Sequence, residues 1–318
     1  MKTNSTIIFC HYGYSKYLYY TLKQLKHSNS HARIALIGDQ YNFKIAKKTC
    51  VEHINFDRLS DTSEINQFDR VYQHVAGTNH GKKFWTKFVF KRWFYIHAFL
   101  KKEKVENFWH FDSDNMILTD LSNQEQKFSS YECTEQCNGS CMNGYINSSN
   151  IVEKYVRKIN ELFCDTDYIN KQKEAFILNP NFAFTEMRAF ETFKVSERIN
   201  TVRLNSIIGD ESFDDCICQS HNYERYENPV NGQYIKKLYF NKFNRHFYCY
   251  HNPTKKLIKM NSLNLSWVPI YFFENILMIN TYSSYKRKYF LGEENGLQVL
   301  NLTYNPLLKK IIRNIKKL

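Results

Sequence analysis

The 318-residue sequence predicts an α/β protein with a mixed, mainly parallel sheet flanked by helices. Three observations carry that expectation. Strand-like and helix-like stretches alternate from Thr6 to Phe56. The segment Lys82–Lys102 repeats apolar residues at helical spacing. The run Asn107–Leu118 opens as a short buried strand, Phe108–Phe111, and breaks into two acids, Asp112 and Asp114, before a second apolar triplet, Met116–Leu118.

The first strand, Thr6–Cys10, is β-branched and apolar and ends in His11-Tyr12-Gly13, where glycine permits a sharp turn or close approach of a ligand. Tyr14–His27 reads as helix, with Leu18, Thr21, Leu22 and Leu25 on one face. Arg33–Ile37 is a second strand running into Gly38-Asp39, and Val51–Phe56 a third. Parallel connections place His11, Tyr12, Gly13 and Asp39 at carboxyl ends of strands, the edge that also carries Asp112 and Asp114. Asp39 equally suits capping of the next helix, and both readings stand. Arg58–Gly81 is polar and reads as a surface loop with a short helix.

In Lys82–Lys102, Trp85, Val89, Trp93, Ile96 and Leu100 form one stripe, with Lys87, Lys91 and Arg92 beside it. This helix feeds the acid-bearing strand, so Arg92 is the candidate to reach a phosphate. Beyond Leu121 the chain is polar up to Ser140. Met142–Ile146 then reads as strand, and Ile151–Phe163 as a helix capped by Ser149 or Asn150. Thr185-Glu186-Met187 opens a helix through Phe193. Asp210, Glu211, Asp214 and Asp215 cluster in sequence, and Lys236–Tyr250 suggests strands or a hairpin, closed by His251.

Two carboxylates separated by one small residue at a strand end suit a hard divalent cation, Mn²⁺ or Mg²⁺, which takes one or two carboxylates together with phosphate oxygens. Asp112-Ser113-Asp114 is therefore read as a metal and diphosphate site, although Asp and Ser also make ordinary turns. A net charge of +13 fits a phosphorylated ligand, an anionic membrane or nucleic acid. Only 10 Gly and 5 Pro argue against a disordered or repetitive chain. An odd count of nine cysteines favours free thiols, and the Cys133, Cys137, Cys141 spacing fits no common zinc pattern. With no apolar leader and no spanning segment, the expected location is the cytoplasm. After Pro306, Leu307, Leu308, Ile311, Ile312, Ile315 and Leu318 form one face of a helix and five cations the other, as in helices lying on an anionic membrane. That predicts a peripheral protein on the inner membrane face; the packed-helix alternative leaves an oligomer open.

Taken together, these residues resemble a GT-A fold, nucleotide-sugar-dependent glycosyltransferase of the bacterial, family 8-like type acting in polysaccharide or lipopolysaccharide synthesis. The resemblance covers residues of about 6 to 260 and rests on motif order. Asp112-Ser113-Asp114 resembles the D-x-D motif, His11-Tyr12-Gly13 the first nucleotide-contacting loop, and Asn143-Gly144 the segment lining the sugar and acceptor site. Thr185-Glu186-Met187 resembles a Ser-Asp-Met segment, with Glu in place of Asp. His251 with Lys255 and Lys256 resembles a late His-to-Lys segment, without its Gly or its lysine spacing. The resemblance implies a nucleoside-diphosphate sugar donor, UDP-sugar favoured, with metal on Asp112, Asp114 and His251. Lys256 would meet the diphosphate, and the acceptor would be a glycan or lipid-linked saccharide. Glu186 is the first choice as acceptor base, with Asp215 among the other acids that chemistry allows. It further implies a catalytic region over residues 1–265, with a nucleotide-sugar half near 1–120 and an acceptor half near 121–265. Residues 266–318 form an extension. The rivals are a sugar nucleotidyltransferase, disfavoured by the single glycine after the first strand, and a non-enzymatic nucleic-acid- or membrane-binding protein. No nucleic acid is expected, since Lys236–His246 is the nearest thing to a basic aromatic stripe.

Overall fold

A computed structural model describes residues 6–79, 82–281, 291–294 and 297–300. The chain divides into two compact units that interleave along the sequence: Met1–Tyr14, His31–Ser113 and Asp120–Leu204 form the first, and Ser15–Ser30, Asp114–Thr119 and Asn205–Leu318 the second. The Asp-Ser-Asp run straddles this division.

The first unit is a mixed α/β layer structure with a mainly parallel sheet flanked by helices, as expected. Its strands are β1 (Thr6–His11), β2 (Ile34–Gly38), β3 (Glu52–Asn55), β4 (Phe108–Phe111), β6 (Cys133–Gln136), β7 (Cys141–Ile146) and β8 (Thr201–Arg203), in the order β3-β2-β1-β4-β7-β6-β8. All pairings are parallel except those of β7 with β4 and β6. β1, β2 and β4 are buried along their whole length, which is why they read as predominantly apolar runs without alternation. β1 pairs with β2 from Ile7↔Ile34 to His11↔Gly38 and with β4 through Phe9↔Phe111. Strand order reverses at β1, and such a switch point opens a crevice at the carboxyl ends of the strands.

The helices of this unit are α2 (Phe43–Thr49), α3 (Ser63–Val71), α4 (Lys83–Glu103), the short α5 (Glu125–Phe128), α6 (Ser149–Cys164), α7 (Thr166–Leu178) and α8 (Glu186–Glu197). α4 departs from the amphipathic expectation. Every residue from Arg92 to Leu100 is buried, whereas Trp85, assigned to the core stripe, is 49% exposed. The physical reason is that α4 packs against α3, α6 and β1 at once, so it needs apolar residues around most of its circumference. Aromatic rings fill that interface: Phe68 lies 4.8 Å from Phe94, and Phe90 5.1 Å from Phe163. The cap of α6 is Ser148, whose side chain accepts from the Asn150 N–H, one residue before the expected caps.

The second unit contains α1 (Lys16–Ser28), β5 (Asn115–Ile117), β9 (Glu211–Ser212), β10 (Tyr239–Asn241), β11 (His246–His251), β12 (Lys256–Met260), β13 (Ser262–Asn264), α9 (Tyr271–Thr281), β14 (Leu291–Glu294) and β15 (Leu297–Leu300). The expected hairpin is β10–β11, with Phe240 and Phe247 directly opposed. A six-stranded sheet runs β14-β15-β10-β11-β12-β9, and β5 pairs with β13. α1 packs on β5 and α9. The amphipathic helix expected over residues 305–318 lies outside the described residues.

Gly38 closes β2 where a Cβ would stand 2.1 Å from Asn42 Oδ1 and 3.0 Å from the His11 carbonyl. Gly38→Ala should therefore cost about 1–3 kcal/mol by overpacking, seen as a lower urea midpoint at an unchanged slope. An unaltered midpoint would show that Asn42 moves aside freely.

Candidate functional site

Two loops meet at the switch point of the first unit. At Gly13, which follows β1, φ is 76°. Its N–H donates to Asp39 Oδ2 at 2.6 Å, and its carbonyl accepts from Asn42 Nδ2 at 2.7 Å. Asp39 also caps the turn after β2 by accepting from the Tyr41 N–H at 2.8 Å. The capping and site-edge readings of Asp39 are thus compatible: one carboxylate latches the loops after β1 and β2 together. His11 is buried and shares a 2.9 Å hydrogen bond between Nδ1 and Ser113 Oγ, which ties β1 to the loop after β4. Burial, against the pull of Asp39, lowers the His11 pKa to about 4, so the ring is neutral near pH 7.

Beside these loops lies a cavity of about 730 Å³ lined by Tyr12, Asp39, Phe84, Lys87, Phe88 and Tyr95. The exposed Tyr12 ring lies 4.5 Å from Phe84 and 5.6 Å from Phe88. Aromatic faces with a carboxylate and a lysine at the rim suit a flat heterocycle carrying hydroxyl and anionic groups. Lys87 and its neighbour Lys91 both pair with Asp69.

Arg92 is the buried cation of the unit. Its Nη1 donates to Asp112 Oδ1 at 2.5 Å and its Nη2 to Glu186 Oε1 at 3.0 Å. Burial opposes its charge, but Asp112 and Glu186 outweigh that penalty and hold the guanidinium protonated. Glu186 begins α8 and is 6% exposed, with Oε2 enclosed and without a hydrogen-bond partner among the described residues. Its carboxyl pKa is raised by burial, against Arg92 and the first-turn N–H groups. Tyr155 anchors the same turn by donating its hydroxyl to the Glu186 carbonyl at 2.5 Å. Asp112 differs: 30% of its side chain is exposed, so it alone of the three presents substantial surface to a ligand. Beneath it, His110 shares a 3.1 Å hydrogen bond between Nδ1 and the Ile8 carbonyl; burial lowers its pKa to about 4.

The remaining expected residues belong to the second unit, and each has its own local partners. Asp114 Oδ2 accepts from Ser266 Oγ at 2.6 Å. Asp215 is 2% exposed, and its carbonyl accepts from Asn264 Nδ2. His251 ends β11 with Nδ1 2.9 Å from Thr254 Oγ1 and its ring 4.9 Å from that of Tyr223. Burial and Lys236 lower its pKa, which favours the neutral, ligand-competent imidazole. Lys256 pairs with Asp210 at 3.1 Å, both well exposed. Among the described residues, no three His, Cys, Asp or Glu side chains are gathered to hold a metal ion.

The structure therefore brings together Tyr12, Gly13 and Asp39; His11 and Ser113; and Arg92, Asp112 and Glu186. Arg92, the candidate for a phosphate contact, makes an ion pair on each side, to Asp112 and to Glu186. Sequence reasoning missed Phe84, Phe88 and Tyr155. Alternation of Phe84 and Phe88 on one side of α4 was a usable signal, whereas Tyr155 carried none.

No protein-family model matches the chain, and no curated protein matches it. Among solved structures it is similar to mouse xyloside xylosyltransferase 1 in its apo form, with 9% identity over 68% of this chain and 89% of that one and a TM-score of 0.47. It is also similar to the galactosyltransferase LgtC in complex with donor and acceptor sugar analogs, with 11% identity over 66% and 75% of the two chains and a TM-score of 0.37. A third is the glycosyltransferase GlyE of Streptococcus pneumoniae, with 14% identity over 66% of this chain and 47% of that one and a TM-score of 0.34.

The raised pKa of Glu186 has a consequence for stability. The native state holds this proton more tightly than the unfolded chain, so stability falls as pH rises above the ordinary value of 4.5. Glu186→Gln should flatten that decline in urea melts between pH 4 and 7. A decline of equal slope in both proteins would contradict the assignment.

Proposed function

We propose that this protein is a metal-dependent glycosyltransferase that moves a sugar from a nucleoside-diphosphate sugar, UDP-sugar favoured, to a saccharide or lipid-linked saccharide. The observation that carries the reading is the switch-point edge of the first unit. There a part-exposed carboxylate, Asp112, is fixed by a buried arginine after β4, and Tyr12 and Asp39, after the neighbouring strands β1 and β2, line an aromatic cavity of about 730 Å³. The base and ribose would enter the cavity, stacking against Tyr12 and Phe84, with Asp39 and the Gly13 loop at the ribose. The diphosphate would then lie toward Asp112.

By donor chemistry, the carboxylates of the Asp112-Ser113-Asp114 run would suit a Mn²⁺ or Mg²⁺ ion that takes its remaining coordination from substrate phosphates. Such an ion, when bound, offsets the negative charge that develops on the departing diphosphate. The chain's own contribution is positional. Arg92 holds Asp112 in one rotamer, and Glu186 holds Arg92. A proton acceptor must touch the acceptor hydroxyl. Glu186 and Asp215 are both buried, so we assign them supporting rather than proton-transferring roles. Lys256, exposed and paired with the equally exposed Asp210, is assigned to the diphosphate as a mobile cation.

Thermal shift with Mn²⁺ and a panel of nucleoside diphosphates should show stabilisation by UDP that requires the metal. Asp114→Asn should lower turnover by about a hundredfold or more with little change in folding, the size expected for loss of one preorganised electrostatic group. No stabilisation by any nucleotide would contradict the reading.

We further assign residues 305–318 to an anionic membrane surface on the cytoplasmic side, on the strength of six Leu and Ile on one face and five cations on the other. Deleting them should release the protein from anionic liposomes while transfer to a soluble acceptor continues. Equal liposome binding by the truncated and full-length proteins would overturn that assignment.

A further inference from the structure

The hairpin between β6 and β7 carries cysteines that the proposed reaction does not use. Gln136 and Cys141 face each other in the ladder, so residues 137–140 form its loop. Cys137 and Asn138 both adopt positive φ, 52° and 57°, and Gly139 follows at 87°. Left-handed backbone at successive non-glycine residues is uncommon. In this loop it closes a tight turn, with the Ser140 N–H donating to the Cys137 carbonyl at 3.2 Å, and so places the Cys137 backbone next to Cys141, the ladder partner of Gln136. Cys137 is partly exposed and Cys141 is buried. The loop is held in place from outside. Arg203 Nη2 donates to Asn138 Oδ1 at 3.1 Å, Lys194 Nζ to the Gly139 carbonyl at 2.5 Å, and Ser140 Oγ to Glu191. Glu191 and Lys194 lie on α8, the helix that Glu186 begins.

We propose that Cys137 and Cys141 form a peroxide-oxidisable dithiol that closes reversibly into a disulfide, and that closure weakens ligand binding at Asp112. The chemistry balances with a peroxide as oxidant. The Cys137 thiolate attacks one peroxide oxygen: an S–O bond forms, the O–O bond breaks, and the second oxygen leaves as water after taking a proton. The Cys141 sulfur then attacks the resulting sulfenic sulfur. An S–S bond forms, the S–O bond breaks, and the Cys141 proton leaves with the hydroxyl as a second water. Two thiols are oxidised and one peroxide is reduced. Exposure sets the order, since a peroxide reaches Cys137 before the buried Cys141. The link to Asp112 runs through α8: the loop is bonded to Glu191 and Lys194 of that helix, and Glu186 at its start pairs with Arg92, which holds Asp112, so a displacement of the loop on closure is carried to that ion pair.

The second half of this proposal rests on the reading of Asp112 as part of the donor site; the first half does not. The test treats native full-length protein with stoichiometric hydrogen peroxide. Free thiols are counted, linked peptides are mapped by mass spectrometry, and UDP binding with Mn²⁺ is measured on the same samples. The expected result is the loss of two thiols, a Cys137–Cys141 link, and an apparent Kd for UDP raised about threefold or more. All of these should reverse with dithiothreitol and be absent in Cys137→Ser, while Cys133→Ser should behave as wild type. Oxidation that stops at a single Cys137 acid, or that joins Cys137 to another cysteine, overturns the dithiol. A closed Cys137–Cys141 link with unchanged UDP affinity overturns the coupling. Failure of the reduced protein to bind UDP counts against the donor-site reading alone, because closure is read by mass.

Discussion

The geometry of the first unit depends on one buried cation. Arg92 sits in the middle of a helix that is enclosed from Arg92 to Leu100, and a guanidinium there is tolerable only if both edges are paired. Asp112 takes one edge and Glu186 the other. Replacing such a pair by apolar groups is often neutral for stability, so its value lies in specifying position. It fixes the carboxyl end of β4 to α4 and α8 at once. Of its three members only Asp112 keeps substantial contact with solvent, so a rigid, part-exposed carboxylate is what the arrangement leaves available for chemistry.

A second set of contacts works in the same direction. Asp39 bonds the Gly13 and Tyr41 N–H groups, Asn42 bonds the Gly13 carbonyl, and His11 bonds Ser113. These bonds join the loops after β1, β2 and β4 without using regular secondary structure. Because His11 is kept neutral by burial, the latch to Ser113 stays independent of pH through the physiological range. The aromatic cavity stands beside loops that are already braced, which lowers the ordering cost of binding a ligand there.

Much of this was legible in the sequence where the physical signal is local. β1, β2 and β4 are predominantly apolar because central strands are buried on both faces, and the acids after β4 stand out against them. What was not legible depends on distant partners. β6, Cys133–Gln136, looks like polar loop, yet all four of its residues are buried. Its Thr134 hydroxyl donates to the Asn143 carbonyl and accepts from the Tyr145 N–H, partners that no local pattern announces. The 94-residue separation of Arg92 and Glu186 hides their pairing in the same way, although each was singled out for its own chemistry. α4 misled through its own richness: a helix apolar nearly all round has no unique stripe, and Trp85 was placed in the core on spacing alone.

The central claim is that the switch-point edge of the first unit receives a nucleoside diphosphate. Hydrogen–deuterium exchange with and without UDP and Mn²⁺ tests it most directly, because it reports where the ligand acts rather than whether it binds. The account predicts slower exchange in peptides spanning residues 9–14, 39–42, 84–95 and 110–114 on addition of both, and no change with either alone. Protection confined to other segments, with these four unchanged, would contradict it.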